Sequence, residues 1–222
     1  MEKIVKIALD GPSGSGKSTV AKALSKKLDI LYLDTGAMYR ATALKAIKLG
    51  VDTFDEKKVS EFIDDIDLKI EYKNGSQVTI LDGENVSEKI REPQVSMAAS
   101  NISSLKCVRL KMVEMQRKIA SERSCVLDGR DIGSFVLPDA DYKFFITASV
   151  DVRAARRYKE LTDKGHTVDL DELKKEIEQR DYNDSHRDFA PLVKAEDAIV
   201  IDTSDLTIAQ VTEKILSNVK GI

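Results

Sequence analysis

Tryptophan is absent from the 222-residue chain, proline occurs only four times, and aromatic residues make up 5% of it. So thin an aromatic supply argues against a broad aromatic-anchored surface for a large partner. The two cysteines, Cys107 and Cys125, form no Cys-x-x-Cys pair, and the two histidines do not fall at zinc-ligand spacing. A disulfide framework and a zinc finger are thereby excluded, and both thiols are expected to be buried in a reducing compartment. No apolar run approaches the ~20 residues that cross a bilayer, and no basic, apolar leader precedes the first expected strand. A soluble, cytoplasmic protein is expected. Neither sign of charge dominates. A formal net charge of -3 gives no bulk attraction to nucleic acid or to an anionic membrane, so cations must count by position. There is no internal repeat and no low-complexity tract.

What is present is a rhythm of short apolar runs and helical stretches. Residues Ile4 to Asp10 read as a strand buried on both faces, and Val20, Ala21, Ala23, Leu24 and Leu28 then recur at helical spacing. A second strand at Ile30 to Asp34 and a helix from Ala37 to Leu49 complete a βαβα start, which predicts a parallel sheet. In the middle, Ile66, Leu68, Ile70 and Tyr72 alternate with charged residues up to Asn74-Gly75, and Val78 and Ile80 continue to Asp82-Gly83. These are hairpin signals, so an antiparallel insert is expected over 64–100, within a core formed by 1–63 and 101–222. The core resumes with a helix from Leu105 to Ala120 and strands at Ser124 to Asp128, Tyr142 to Thr147 and Ala198 to Asp202. Two charged helical stretches, 151–164 and 169–184, flank Gly165-His166-Thr167. They read as a mobile helical hairpin, with His166 an exposed loop residue of no catalytic role. An amphipathic helix from Thr207 to Val219 closes the pattern.

The chemistry begins at Gly11, Pro12, Ser13, Gly14, Ser15, Gly16, Lys17, Ser18 and Thr19, which satisfy G-x-x-x-x-G-K-[ST] between an expected strand and an expected helix. The bare pattern arises by chance on the order of once per hundred chains of this length, and the strand-to-helix context makes it rarer. Glycines let backbone N–H groups face phosphate oxygens, and the helix adds the positive end of its dipole. Lys17 is expected at the β- and γ-phosphates of ATP, and Ser18 on Mg²⁺. A phosphate loop by itself does not separate a kinase from a switch or a motor. The absence of Asn-Lys-x-Asp weighs against a GTPase, and the chain is short for a motor.

Three further clusters point to a second anion. Thr35 to Arg40 opens a helix at a strand end, and Arg130 and Asp131 follow the strand ending at Asp128. Arg180, Asp184 and Arg187, spaced by four and three, share one face if the helix continues that far. Singly, such residues are most often surface ion pairs. Together they suit a phosphate-bearing acceptor, since guanidinium groups pair with phosphate oxygens bidentately.

At these residues the chain resembles the bacterial cytidylate kinases nearly end to end. The matching stretches are Asp10 to Thr19, Leu33 to Arg40, Asp128 to Gly133, Pro138-Asp139-Ala140, and Arg180-Asp181 through Ala190 to Val193. The resemblance implies an α/β fold: a P-loop doubly wound parallel sheet with a small antiparallel monophosphate-binding insert and a helical lid within 151–184. It implies transfer of the ATP γ-phosphoryl group to CMP or dCMP with Mg²⁺, in a cytoplasmic monomer. It assigns Arg40, Arg130 and Arg187 to the CMP phosphate, and Thr35, Arg109 and Asp131 to cytosine. Arg180, Asp184 and Ser100 face the ribose, and Tyr39 borders the pocket. Lys17, Arg130, Arg187 and Arg156 are the implied catalytic cations; Arg153 and Arg157 are the other lid arginines open to contact with ATP phosphates. Two rivals stand beside it: a small P-loop kinase with another acceptor, and an ATP-dependent switch with no acceptor.

Overall fold

A computed structural model describes residues 3–73 and 75–220. In chain order the elements are β1 (Lys6–Asp10), α1 (Lys17–Leu28), β2 (Leu31–Asp34), α2 (Thr35–Lys48), α3 (Glu56–Ile63), β3 (Leu68–Lys73), β4 (Ser76–Leu81) and β5 (Glu84–Asn85). There follow α4 (Pro93–Ile102), α5 (Lys106–Glu122), β6 (Cys125–Gly129), β7 (Tyr142–Thr147), α6 (Val150–Asp163), α7 (Leu170–His186), β8 (Ile199–Asp202) and α8 (Ile208–Leu216). The chain divides into two compact units, Met1–Leu31 with Ser124–Ile222, and Tyr32–Arg123.

The expected parallel sheet is present, five-stranded in the order β2-β6-β1-β7-β8. In the first unit β1 pairs in parallel with β6 and β7, and β7 with β8. Ile7, Ala8, Leu9, Val126 and Leu127 are fully buried, as in parallel strands covered on both faces. Asp10 and Gly129 are register partners, so the turns after β1 and β6 leave the same sheet edge as neighbours. Val20, Ala21 and Leu24 form the buried stripe of α1. Between β7 and β8 the chain makes two helices that pack on each other, α6 and α7, capped by Ser149 and Asp169. Thr207 caps α8 through a reciprocal bond with Gln210 and is not its first residue.

In the second unit β3 and β4 pair antiparallel from Leu68↔Leu81 to Lys73↔Ser76, and β5 adds two residues. Gly75 takes φ 74, as a two-residue hairpin requires; Asn74 lies outside the described residues. The ladder ends at Asn85, well short of residue 100. Past a single 3₁₀ turn at Lys89–Arg91, Pro93 pre-sets the first turn of α4, and Val95, Ala98, Ala99 and Ile102 give it a buried face. The short helix α3 is a second element that hydropathy alone leaves out; Asp55 caps it by accepting from the Lys58 N–H at 3.1 Å. Of the two thiols only Cys125 is buried, and burial pushes it up to about 12; Cys107 is half-exposed. Among the described residues no helix is long and apolar enough to cross a membrane.

Candidate active site

In the first unit the glycine loop joins β1 to α1 as the motif requires. Gly11 leaves β1 at φ 142, and a Cβ there would lie 2.0 Å from the Ile146 carbonyl oxygen, so no side chain fits. Gly16, at φ 92, sits at the helix start with no side chain to occupy the first-turn N–H groups. Lys17 is only 5% exposed; its Nζ donates to Pro12 O at 2.6 Å and to Ser15 Oγ at 3.3 Å. Burial and the repulsion of Arg130 hold its ammonium well below the ordinary lysine range, against the pull of Asp128, Asp10 and Asp184. A polyanion beside it favours the charged form.

Two acids to which the sequence reading assigns no role complete this loop. Ser18 Oγ donates to Asp128 Oδ2 at 2.6 Å, where β6 brings the acid to the sheet edge. A hydroxyl and a carboxylate are hard oxygen donors, and the pair fits a small divalent cation that also takes phosphate and water. Asp10 accepts the N–H groups of Ile132 and Gly133, both at 2.7 Å, tying the residue before Gly11 to a π-helical turn at Ile132–Val136. Burial pushes the Asp10 carboxyl up to about 7 and Asp131 adds to this, while the two N–H groups and Lys17 work the other way. The signal for both acids is positional: each ends, or nearly ends, an apolar strand.

The arginine cluster of this unit gathers around Asp184. Arg130 Nε donates to Asp184 Oδ2 at 2.8 Å, and Arg187 stands 4.0 Å from Asp184 Oδ1 and 3.6 Å from Asp131 Oδ1. Burial opposes the charge on Asp184, but Arg130, Arg180 and Arg187 outweigh it and hold the carboxyl below its usual range. Arg130 likewise pays desolvation, yet Asp184, Asp128 and Asp181 raise it further. The shared helical face holds only in part. Helix α7 stops at His186, and Arg187 is already extended at φ -69, ψ 144. Its Nε reaches the carbonyl of Ala190, a residue with φ 49, so a tight turn and not helix periodicity brings Arg187 to Asp184.

The three arginines of α6 have separate surroundings. Arg153 is buried and donates to Ala148 O and Ser13 O. Arg156 grips Thr203, through Oγ1 at 3.1 Å and the carbonyl at 2.6 Å, and Thr203 in turn donates to Ser15 O at 3.0 Å. Arg157 pairs with Glu160 at the surface. His166 is exposed, as expected.

In the second unit the start of α2 is built around Asp34, which accepts from the Ala37 N–H at 2.9 Å and pairs with Arg40 at 2.9 Å. Gly36 makes room for that guanidinium: a Cβ there would meet Arg40 Nη1 at 2.9 Å. Gln77 of β4 bonds both the N–H and the carbonyl of Asp34, so the antiparallel sheet braces this helix start. Nothing in the sequence marks Gln77. Thr35 is buried as the first residue of α2. Arg109 is 1% exposed, donates to Ser103 O at 3.2 Å, and lies 5.4 Å over the Tyr39 ring. Ser100, on α4, is half-buried and its carbonyl accepts from Ser103 Oγ.

Residues 7–221 match the sequence profile of the cytidylate kinase family. A cytidylate kinase from Caldicellulosiruptor saccharolyticus is 50% identical over 96% of this chain and 95% of its own length. One from Clostridioides difficile is 51% identical over 96% of this chain and 97% of its own. Among solved structures, a shikimate kinase from Bacteroides thetaiotaomicron shares the fold, with a TM-score of 0.51 at 15% identity over 97% of this chain and 98% of that one. The motif match, the sheet order and near full-length identity at this level agree: this chain belongs to the cytidylate kinase family.

Proposed function

We propose that the chain transfers the γ-phosphoryl group of ATP to CMP or dCMP, giving ADP and CDP or dCDP. The observation that carries this is the Arg130–Asp184–Arg187–Asp131 cluster, in which the turn after β6, next to the phosphate loop, meets the end of α7 and the residue that follows it. A nucleotide switch has no use for a second guanidinium cluster there; an acceptor that is itself a phosphate monoester does.

In this reading Gly11 to Thr19 hold ATP. Arg40, Arg130 and Arg187 hold the acceptor phosphate, Thr35, Arg109 and Asp131 the base, and Arg180, Asp184 and Ser100 the ribose, with Tyr39 alongside. Residues 64–100 are the monophosphate-binding insert and 151–184 include the lid of a cytoplasmic monomer. An oxygen of the CMP phosphate forms the new bond to the γ-phosphorus as the bond to the bridging oxygen of ADP breaks. A phosphate monoester has its second pKa at about 6, so near neutral pH the nucleophile is already ionised and no general base is needed. Lys17, Arg130, Arg187 and Arg156 lower the repulsion between two anions and take up charge at the transferring group. Ser18 and Asp128 would hold Mg²⁺, whose positive charge would offset that of the phosphates.

The test is ADP formation from ATP and Mg²⁺ with CMP, dCMP, UMP, dTMP or AMP as acceptor. Turnover confined to CMP and dCMP is expected. A higher kcat/KM for another monophosphate would overturn the base assignment, and no turnover with any of them would favour the switch.

A further inference from the structure

Arg153 lies in the stretch that resemblance marks as a lid, yet it is 4% exposed, a burial that guanidinium groups rarely reach unless paired. It meets three separate elements. Nε donates to Ala148 O, between β7 and α6, at 3.0 Å; Nη1 donates to Ser13 O, in the phosphate loop, at 3.1 Å; Nη2 pairs with Asp181 Oδ2, on α7, at 2.6 Å. Its stem packs on the loop as well, since a Cβ on Gly14 would lie 3.2 Å from Arg153 Cβ. All three nitrogens of the fork are thus engaged by protein oxygens.

We propose that Arg153 is a positioning residue that sets the phosphate loop and ties it to the acceptor-side helix. The physical reason is the peptide plane. In a trans peptide the C=O and N–H point in opposite directions, so a guanidinium that fixes the Ser13 carbonyl also fixes the Gly14 N–H on the opposite side, facing the polyphosphate. Thr203 treats the next plane but one in the same way, by donating to Ser15 O at 3.0 Å. Asp181 carries the tie to α7, where it follows Arg180 and precedes Asp184 by less than one turn. The inference rests on reading the loop as the ATP site, and it makes Arg153 an organiser of that site and not a ligand of the transferring group.

The experiment is Arg153→Lys and Asp181→Asn, with ATP affinity measured by calorimetry in the presence of Mg²⁺, and KM and kcat measured for ATP and for CMP. Lysine keeps the charge but offers a point in place of a fork. ATP affinity is expected to fall by about tenfold in R153K, the loss of a charge-assisted bond, with the KM for ATP rising more than that for CMP. D181N is expected to shift ATP affinity the same way by less, and the double variant to be no worse than R153K, because the two act as one unit. Unchanged ATP affinity with a fallen kcat would overturn the proposal, as would a loss confined to CMP. Should R153K fail to fold, D181N decides by the same comparison. A wild-type protein that binds ATP but does not phosphorylate CMP would refute the proposed function and leave the ATP-affinity comparison intact.

Discussion

Replacing Arg130 by alanine removes a guanidinium that bonds Asp184 at 2.8 Å and presses on Lys17 through like charge. Two consequences separate. A charge-assisted contact to an acceptor phosphate is worth roughly 1.5–3 kcal/mol, so CMP affinity should fall roughly 10- to 150-fold. Within the protein, breaking a buried ion pair costs about 3–5 kcal/mol when the remaining charge is stranded. Here Asp184 keeps Arg187 at 4.0 Å and the field of Arg180, which reduces the cost. A loss of about 2 kcal/mol is reasonable, equivalent to roughly 4–8 °C in melting temperature for a chain of this size. Lys17, freed from one repulsion, becomes easier to charge, so ATP affinity should hold or rise. Calorimetric titration of the folded variant with ATP and with CMP, beside a thermal melt, checks all three. An ATP affinity that falls as far as that for CMP would refute the reasoning and move Arg130 to the other substrate.

Asp10 makes stability depend on pH in an unusual direction. Its carboxyl is raised from 3.8 to about 7, so its contribution is full below 3.8 and lost as pH rises through about 7; urea unfolding across that range should show the slope, and Asp10→Asn should remove it. Asp184 acts oppositely, because its depressed pKa gives stability at neutral pH that is lost on acidification; Asp184→Asn should make acid unfolding shallower. Gly11→Ala drives a Cβ to within 2.0 Å of the Ile146 carbonyl oxygen, between neighbouring strands. It should cost more than about 4 kcal/mol in chemical unfolding or leave no folded protein, and a mild effect would mean that β1 and β7 can part there. Asp128→Asn weakens the acid that holds Ser18 Oγ, so the Mg²⁺ concentration for half-maximal turnover should rise by about tenfold, whereas an unchanged Mg²⁺ dependence would exclude this pair as the cation site.

Much of this protein is written in local pattern. The phosphate loop needs glycine where the backbone turns left-handed and a strand and helix on either side, and all of these lie within one short segment. Buried parallel strands announce themselves as apolar runs, and the hairpin at Gly75 as alternation broken by a turn. The elements that escape are those whose evidence is weak or distant. Helix α4 begins at a proline that also suits a loop, and α3 is too short for its period to stand out. Arg187 reads as helical because its spacing from Asp184 is three, yet a turn at Ala190 delivers it.

Sequence alone determined the phosphate-loop motif, the α/β class and the arginines and acids proposed for a second anion site, because each is a matter of residue type at short range. Tertiary structure alone decided what those side chains hold. Asp10 meets the Ile132 and Gly133 N–H groups, Asp128 meets Ser18, Gln77 meets Asp34, and Arg153 meets Ser13, Ala148 and Asp181. Apart from Arg153 and Ala148, each pair lies far apart in the chain. Hydrogen-bond partners over such separations follow from strand order, register and helix placement, and these are fixed only when the core packs.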